Sequence, residues 1–195
     1  MTEGLLYIFT GTGKGKTSAA LGMLLRATCA GMKVAWIAWY KEASWDVSEY
    51  RVKELLPTVD MFIGGKGFYF NEKTNAQQIG SVKVVKAQKI VVVDKTSEAE
   101  HQKAAQQSLE LLHQLLEQQS YDLIICDELV QAVSQQLVNK QQTLDILQKR
   151  GKTHLVLTGR DCPQSLIDLA DTVSSVEKIK HAYDQGIMAV KGLDF

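Results

Sequence analysis

The sequence is short of the residues that build several classes of protein. Its 195 residues hold 2 prolines and 3 cysteines, and 22 lysines and arginines are balanced by 22 aspartates and glutamates. Cys29, Cys126 and Cys162 lie far apart with no paired spacing. A disulfide framework is therefore not expected, and a reducing compartment suits the cysteines better. His101, His113, His154 and His181 form no metal-ligand spacing with one another or with cysteine, so no protein zinc site is expected. A net charge of +0 removes the basic excess on which phosphate-neutralising binders rely, so no nucleic-acid partner is expected. No apolar run approaches the roughly 20 residues that span a bilayer, and no basic segment followed by a long apolar one opens the chain. The expectation is a cytoplasmic protein with no membrane partner. Without a low-complexity linker or an internal repeat, residues 1–195 read as a single domain, and 45% hydrophobic residues are enough for a folded core.

What is present alternates between strand and helix. Leu5–Phe9 is a short apolar run, followed by a Gly/Lys-rich turn and an apolar-rich helix that ends near Gly31. Val34–Tyr40 is almost continuously apolar, as a strand covered on both faces would be. Ser44–Leu56 reads as a helix stopped before Pro57, and Val59–Ile63 as a further strand. Asp122–Cys126 and His154–Thr158 read as strands, with helical segments near Ala99–Gln118 and Thr143–Lys149. This order predicts an α/β fold with a mostly parallel central sheet and helices on both faces. Two β-prone runs, Val82–Lys86 and Lys89–Asp94, are separated only by Ala87-Gln88 and suggest a β-hairpin.

The strongest chemical signal is Thr10-Gly11-Thr12-Gly13-Lys14-Gly15-Lys16-Thr17, running into Ser18. It follows a predicted strand and opens a predicted helix, the context a phosphate-binding loop needs. Its glycines let backbone N–H groups turn inward, and the helix adds its positive end. Lys16 is then placed to reach phosphate oxygens and the Thr17 hydroxyl to bind magnesium. The usual pattern puts its first glycine where this chain has Thr10; Gly11 and Gly13 supply the flexibility instead.

Such a loop needs a carboxylate opposite it. Asp94 is followed by Lys95, a poor neighbour for a cation, whereas Leu123–Cys126 leads into Asp127-Glu128 at the C-terminal tip of a strand, where ligands of open α/β sheets gather. Arg160 stands at the tip of another strand and either recognises polyphosphate or pairs with a structural carboxylate. Arg26, on the helix after the loop, is a nucleotide-binding candidate or one charge of a solvated face. Gly67-Phe68-Tyr69-Phe70 follows a Gly-rich turn and is either a core strand or an aromatic wall for a flat apolar ligand.

Taken together, these separated motifs resemble one family, the P-loop type ATP:cob(I)alamin (corrinoid) adenosyltransferases. The resemblance rests on Thr10–Thr17, Leu21–Ala27, Gly67–Phe70, Asp127–Leu129, Leu157–Arg160, Leu166–Val173 and Lys180–Phe195, in order across most of the chain. It implies a P-loop NTPase-like (RecA-like) fold and transfer of the 5′-deoxyadenosyl group of ATP to the Co(I) of a reduced corrinoid, with release of triphosphate. It implies ATP bound by Gly11, Thr12, Gly13, Lys14, Gly15, Lys16, Thr17 and Ser18, with Arg26 and Arg160. It also implies Mg²⁺ at Thr17, Asp127 and Glu128, with Lys16, Thr17 and Glu128 catalytic. Phe68 and Phe70 would lie under the corrinoid ring and exclude its lower axial ligand, which makes Co(II) easier to reduce. A homodimer and a flavodoxin-like or flavin reductant are implied as partners.

The sequence departs from the family pattern at four points. Thr12 stands where the family has Asn and Phe70 where it has Trp, the family's helical extension ahead of the first strand is expected to be missing, and Val82–Asp94 looks inserted. The hairpin, or a partner subunit, is expected to close the corrinoid site in place of that extension. Two other readings fit fewer of the motifs: an ordinary P-loop ATP hydrolase or kinase, which uses the loop and Asp127-Glu128 alone, and a non-catalytic ATP- or corrinoid-binding module.

Overall fold

The computed structural model describes residues 3–67 apart from 43, 44 and 46, residues 82–83 and 92–93, and residues 96–194. Six strands form one parallel sheet: β1 (Leu6–Thr10), β2 (Val34–Ala38), β3 (Val59–Ile63), β6 (Leu123–Asp127), β7 (His154–Thr158) and β8 (Thr172–Ser175). Their order across the sheet is β3-β2-β6-β7-β1-β8, and every neighbouring pair is parallel.

The continuous apolar strands are what a sheet buried on both faces requires. Alternate side chains feed two cores. Ala35, Ile37, Ile124, Cys126, Leu155 and Leu157 pack with Leu109, Leu112 and Leu116 of α3 (Glu98–Gln118), and with α4 (Leu129–Ser134), α5 (Lys140–Gln148) and α6 (Gln164–Leu169). Val34, Trp36, Leu123, Ile125 and Val156 pack with Ala20, Leu24 and Ala27 of α1 (Lys16–Cys29). Helices therefore cover both faces, as the sequence predicts.

Several elements differ from expectation, α4 and α6 among them, since neither segment reads as a helix in the sequence. The helix expected over Ser44–Leu56 is a 3₁₀ turn, Ser48–Arg51, leading into a single turn of α2 (Val52–Leu55). Side-chain bonds reaching back eight residues hold this segment in a tight turn: the Tyr50 hydroxyl donates to the Glu42 carbonyl at 2.7 Å, and Glu49 pairs with Lys41. β8 was not expected, because Thr-Val-Ser-Ser has no apolar run; it is an edge strand, mostly exposed, held by its ladder to β1. The start of α3 is sharper than the sequence suggested, since Ser97 and Glu100 form a reciprocal capping box.

Within the expected hairpin, β4 (Val82–Lys83) pairs antiparallel with β5 (Val92–Val93), Val82 opposite Val93 and Lys83 opposite Val92. The rest of the Val82–Asp94 reading lies outside the described residues.

Candidate active site

The Gly/Lys-rich loop joins β1 to α1, as the sequence requires. Its glycines answer to a neighbour that the sequence does not reveal. The chain leaving β8 runs against the loop, with the Val176 N–H donating to the Thr10 carbonyl at 2.8 Å and the Gly13 N–H to the Val176 carbonyl at 2.7 Å. A Cβ on Gly13 would lie 2.7 Å from the Glu177 carbonyl and 2.8 Å from that of Val176, so close approach, not flexibility alone, demands glycine there. Gly15, with φ 123°, makes the turn into the helix in a conformation that side chains disfavour.

Lys16 is the first residue of α1 and is buried. Its ammonium donates to the Gly13 carbonyl at 2.7 Å and the Gly11 carbonyl at 2.9 Å, pinned within the loop. Burial, and then the Arg160 guanidinium, hold it below the usual lysine value against the opposing charges of Glu128, Asp127 and Asp161.

Across from the loop, Asp127 ends β6 and Glu128 caps α4 with φ 67°. Asp127 is fully buried. Its Oδ1 accepts from the Thr17 hydroxyl at 3.1 Å and the Thr158 hydroxyl at 2.7 Å, and its Oδ2 accepts from the Lys41 ammonium at 2.8 Å. The Glu128 N–H donates to Thr158 Oγ1 at 2.9 Å. Glu128 Oε2 is buried with no hydrogen-bond partner among the described residues. Burial, and then the neighbouring Asp127 charge, push the Glu128 carboxyl up to about 7, despite Lys16, Lys41 and Arg160.

The structure thus brings Gly13, Lys14, Lys16, Thr17, Ser18, Glu128 and Arg160 to one cavity of about 430 Å³. Arg160 donates from Nη1 to the Thr12 carbonyl at 3.1 Å, which fixes it to the loop. Arg26 is not brought there. It is exposed in the last turn of α1, ten residues beyond Lys16 and so about 15 Å away along the helix, beside a separate apolar cavity lined by Tyr7, Phe9 and Met23. Phe68 and Phe70 lie outside the described residues.

Sequence reasoning missed Lys41, and it gave no site role to the C-terminal segment Lys180–Phe195, although that segment is one of the motifs carrying the family resemblance. Lys41 lies just beyond β2, at the same edge of the sheet as Asp127 and Arg160, so the rule that selected those two would have selected it as well. Burial pulls its ammonium down, but Asp127 and Glu49 outweigh burial and hold it above the usual value. From the chain end, His181, Leu193 and Asp194 line the cavity, and Asp194 pairs with Lys14. No local pattern could have announced a contact across 180 residues.

The residues present fit a magnesium ion. Glu128 offers a buried oxygen with no partner and Thr17 a hydroxyl, and magnesium is commonly held by one or two protein oxygens together with substrate phosphates. Asp127 already has both oxygens engaged. Among the described residues no group of three His, Cys, Asp or Glu side chains could hold a metal by itself.

A strand–loop–helix with a lysine at the start of the helix bonded back to the loop, and a carboxylate on a strand one removed from the loop strand, define a P-loop NTPase-like α/β domain of RecA-like architecture. Within that class the particular family is also shown. The family model for ATP:corrinoid adenosyltransferase BtuR/CobO/CobP matches residues 2–195, and the chain belongs to that family.

The chain is 31% identical over 194 residues to the corrinoid adenosyltransferase of Pseudomonas aeruginosa, covering 99% of this chain and 84% of that protein. It is 30% identical to the corrinoid adenosyltransferase of Escherichia coli K12, covering 99% and 86%. Among solved structures it is similar in fold to the flagellar accessory protein FlaH of Methanocaldococcus jannaschii, with TM-score 0.53 and 11% identity over 90% of this chain and 72% of that one. Family membership makes ATP and a corrinoid its substrates and adenosyl transfer its activity, and it disfavours the hydrolase, kinase and binding-module readings. No helix among the described residues is long and apolar enough to cross a membrane.

Proposed function

We propose that the protein alkylates the cobalt of a reduced corrinoid such as cob(I)alamin with the 5′-deoxyadenosyl group of ATP, releasing intact triphosphate. Co(I) supplies both electrons of the new cobalt–carbon bond and becomes Co(III). The ribose C5′–oxygen bond breaks, and its electron pair leaves with the triphosphate. The observation that supports this most is the convergence of Lys14, Lys16, Thr17 and Arg160 on one cavity beside the glycine-rich loop, an arrangement suited to a polyphosphate leaving group.

In this reading Lys16 exchanges its loop carbonyls for phosphate oxygens. Arg160 and Lys14 flank the same group, and Lys14 leaves Asp194 to do so. Thr17 and Glu128 would hold Mg²⁺, which supplies further charge neutralisation on the triphosphate. The Thr17 hydroxyl, donating its proton to Asp127, keeps its lone pairs for that purpose. Phe68 and Phe70 are assigned to the lower face of the corrinoid, where an apolar wall would exclude water and an axial ligand. A homodimer, a flavodoxin-like or flavin reductant and a cytoplasmic setting belong to the same proposal.

The deciding experiment mixes the protein, Mg-ATP and chemically reduced cobalamin without oxygen and assays adenosylcobalamin and triphosphate together. Equal amounts of both are expected. ADP and phosphate with no adenosylcobalamin would return the protein to the hydrolases, and ATP binding without turnover would make it a binding module.

A further inference from the structure

Asp127 is a buried carboxylate whose oxygens are divided between two tasks. Oδ1 receives the hydroxyls of Thr17 and Thr158, while Oδ2 receives the Lys41 ammonium at 2.8 Å. Lys41 is held on its other side by Glu49, and the side chains of the three are only 16%, 0% and 9% exposed for Lys41, Asp127 and Glu49. This cation lies inside the protein wall and does not line the nucleotide cavity, whereas Glu49 and the adjacent Ser48 do.

We propose that Lys41 is a positioning residue: a built-in cation that takes Asp127 Oδ2, commits Asp127 to orienting Thr17, and leaves Glu128 as the carboxylate facing the bound nucleotide. The proposal rests on reading the loop as the ATP site. Two consequences follow from charge and geometry. With Lys41 in place, Asp127 adds little repulsion toward a triphosphate and has no oxygen to offer a metal ion. Through Glu49, Lys41 also anchors the 3₁₀ turn Ser48–Arg51, which forms one wall of the cavity. Without Lys41, two buried carboxylates lose their shared cation, one of them directly behind Thr17.

The test exploits the opposite signs of these effects. A merely structural role for Lys41 would weaken both cation and nucleotide binding in the Lys41→Met variant. A positioning role weakens ATP and strengthens a bare divalent cation, because Asp127 Oδ2 becomes an unpaired anionic ligand. Mn²⁺ alone is titrated by its electron paramagnetic resonance signal, and ATP in excess EDTA by calorimetry, for the wild type, Lys41→Met and Lys41→Arg. Lys41→Met is expected to bind Mn²⁺ about tenfold tighter and ATP about tenfold more weakly, the size expected of one uncompensated charge near the site. Lys41→Arg is expected to restore both toward wild type.

Unchanged affinities, or a parallel loss of both, would overturn the proposal. Should Lys41→Met fail to fold, Lys41→Met/Asp127→Asn removes the fully buried one of the two stranded charges, the one behind Thr17. If Lys41 acts through Asp127, the double variant binds ATP as Asp127→Asn alone does, and a further loss in the double variant overturns the idea. A wild type that binds no ATP refutes the reading of the site itself, a result distinct from any of these.

Discussion

Replacing Glu128 with Gln tests the electrostatics of the site without disturbing its shape. The Glu128 carboxyl is pushed from an ordinary 4.5 up to about 7, first by burial and then by Asp127. The folded state therefore holds this proton more tightly than the unfolded chain does. Its contribution to stability is complete below pH 4.5 and is lost as the pH rises through about 7, the reverse of a salt-bridged carboxylate. At about 1.4 kcal/mol per tenfold change in proton affinity, the loss is about 3 kcal/mol. For a chain of this length that is about 6–12 °C in melting temperature.

Thermal melts of the wild type and Glu128→Gln between pH 4.5 and 8, in EDTA and without nucleotide, report on this group and the charges it touches, because the titrations of more distant groups cancel in the difference. The amide cannot ionise, so the variant is expected to gain on the wild type steadily across that interval and to be the more stable protein at pH 8. Parallel profiles would show that the carboxyl titrates as though solvated and would refute the argument from its buried, unpartnered oxygen.

Other outcomes follow from the same contacts. Lys16→Ala is expected to fold, since it removes only bonds to loop carbonyls, and to lose about 100-fold or more in ATP-dependent adenosylation; wild-type rates would remove Lys16 from the chemistry. Gly13→Ala forces a methyl group against the Val176 and Glu177 backbone and should cost about 1–3 kcal/mol in stability and weaken ATP binding. Gly22→Ala, with open space around it on α1, should gain about 0.5–1 kcal/mol. Melts that do not separate these two variants would mean the segment after β8 does not press on the loop. Thr158→Val keeps the side-chain shape but strands the Glu128 N–H and removes a donor from Asp127, at a cost of about 1–3 kcal/mol; an unchanged melting temperature would contradict that relay.

Where the sequence was legible, burial on both faces made it so. His154–Thr158 is a strand at the boundaries read from its apolar run, and Val34–Ala38 lies inside the run Val34–Tyr40. The loop, Lys16, Thr17 and Asp127-Glu128 were legible because a strand, a turn and a helix fix their surroundings locally. Legibility failed where an element owes its shape to side chains or strands outside itself. Thr172–Ser175 is a strand only because β1 offers it an edge, and Ser48–Arg51 is a tight turn because Lys41 and Glu42 hold Glu49 and Tyr50. Lys41 stands just beyond a strand tip, as Asp127 and Arg160 stand at theirs, but its role depends on the buried Asp127 beside it, a contact across 86 residues that no local pattern reports.

The order of the strands explains why those tips act together. β7 lies between β1, which leads into the phosphate loop, and β6, which ends in Asp127. Thr17 and Asp127 nevertheless meet at 3.1 Å, because α1 starts over the sheet and returns Thr17 toward β6. Thr158, at the tip of the intervening strand, then does more than fill space. Its hydroxyl accepts the Glu128 N–H and donates to Asp127 Oδ1, so the turn carrying the unpartnered Glu128 oxygen is bound to the same carboxylate that orients Thr17. One buried aspartate thereby sets the positions of two hydroxyls, a second carboxylate and a lysine drawn from four strands or their extensions. A change at any one of them should be felt at the others, which is why each variant above is read by nucleotide binding or melting as well as by turnover.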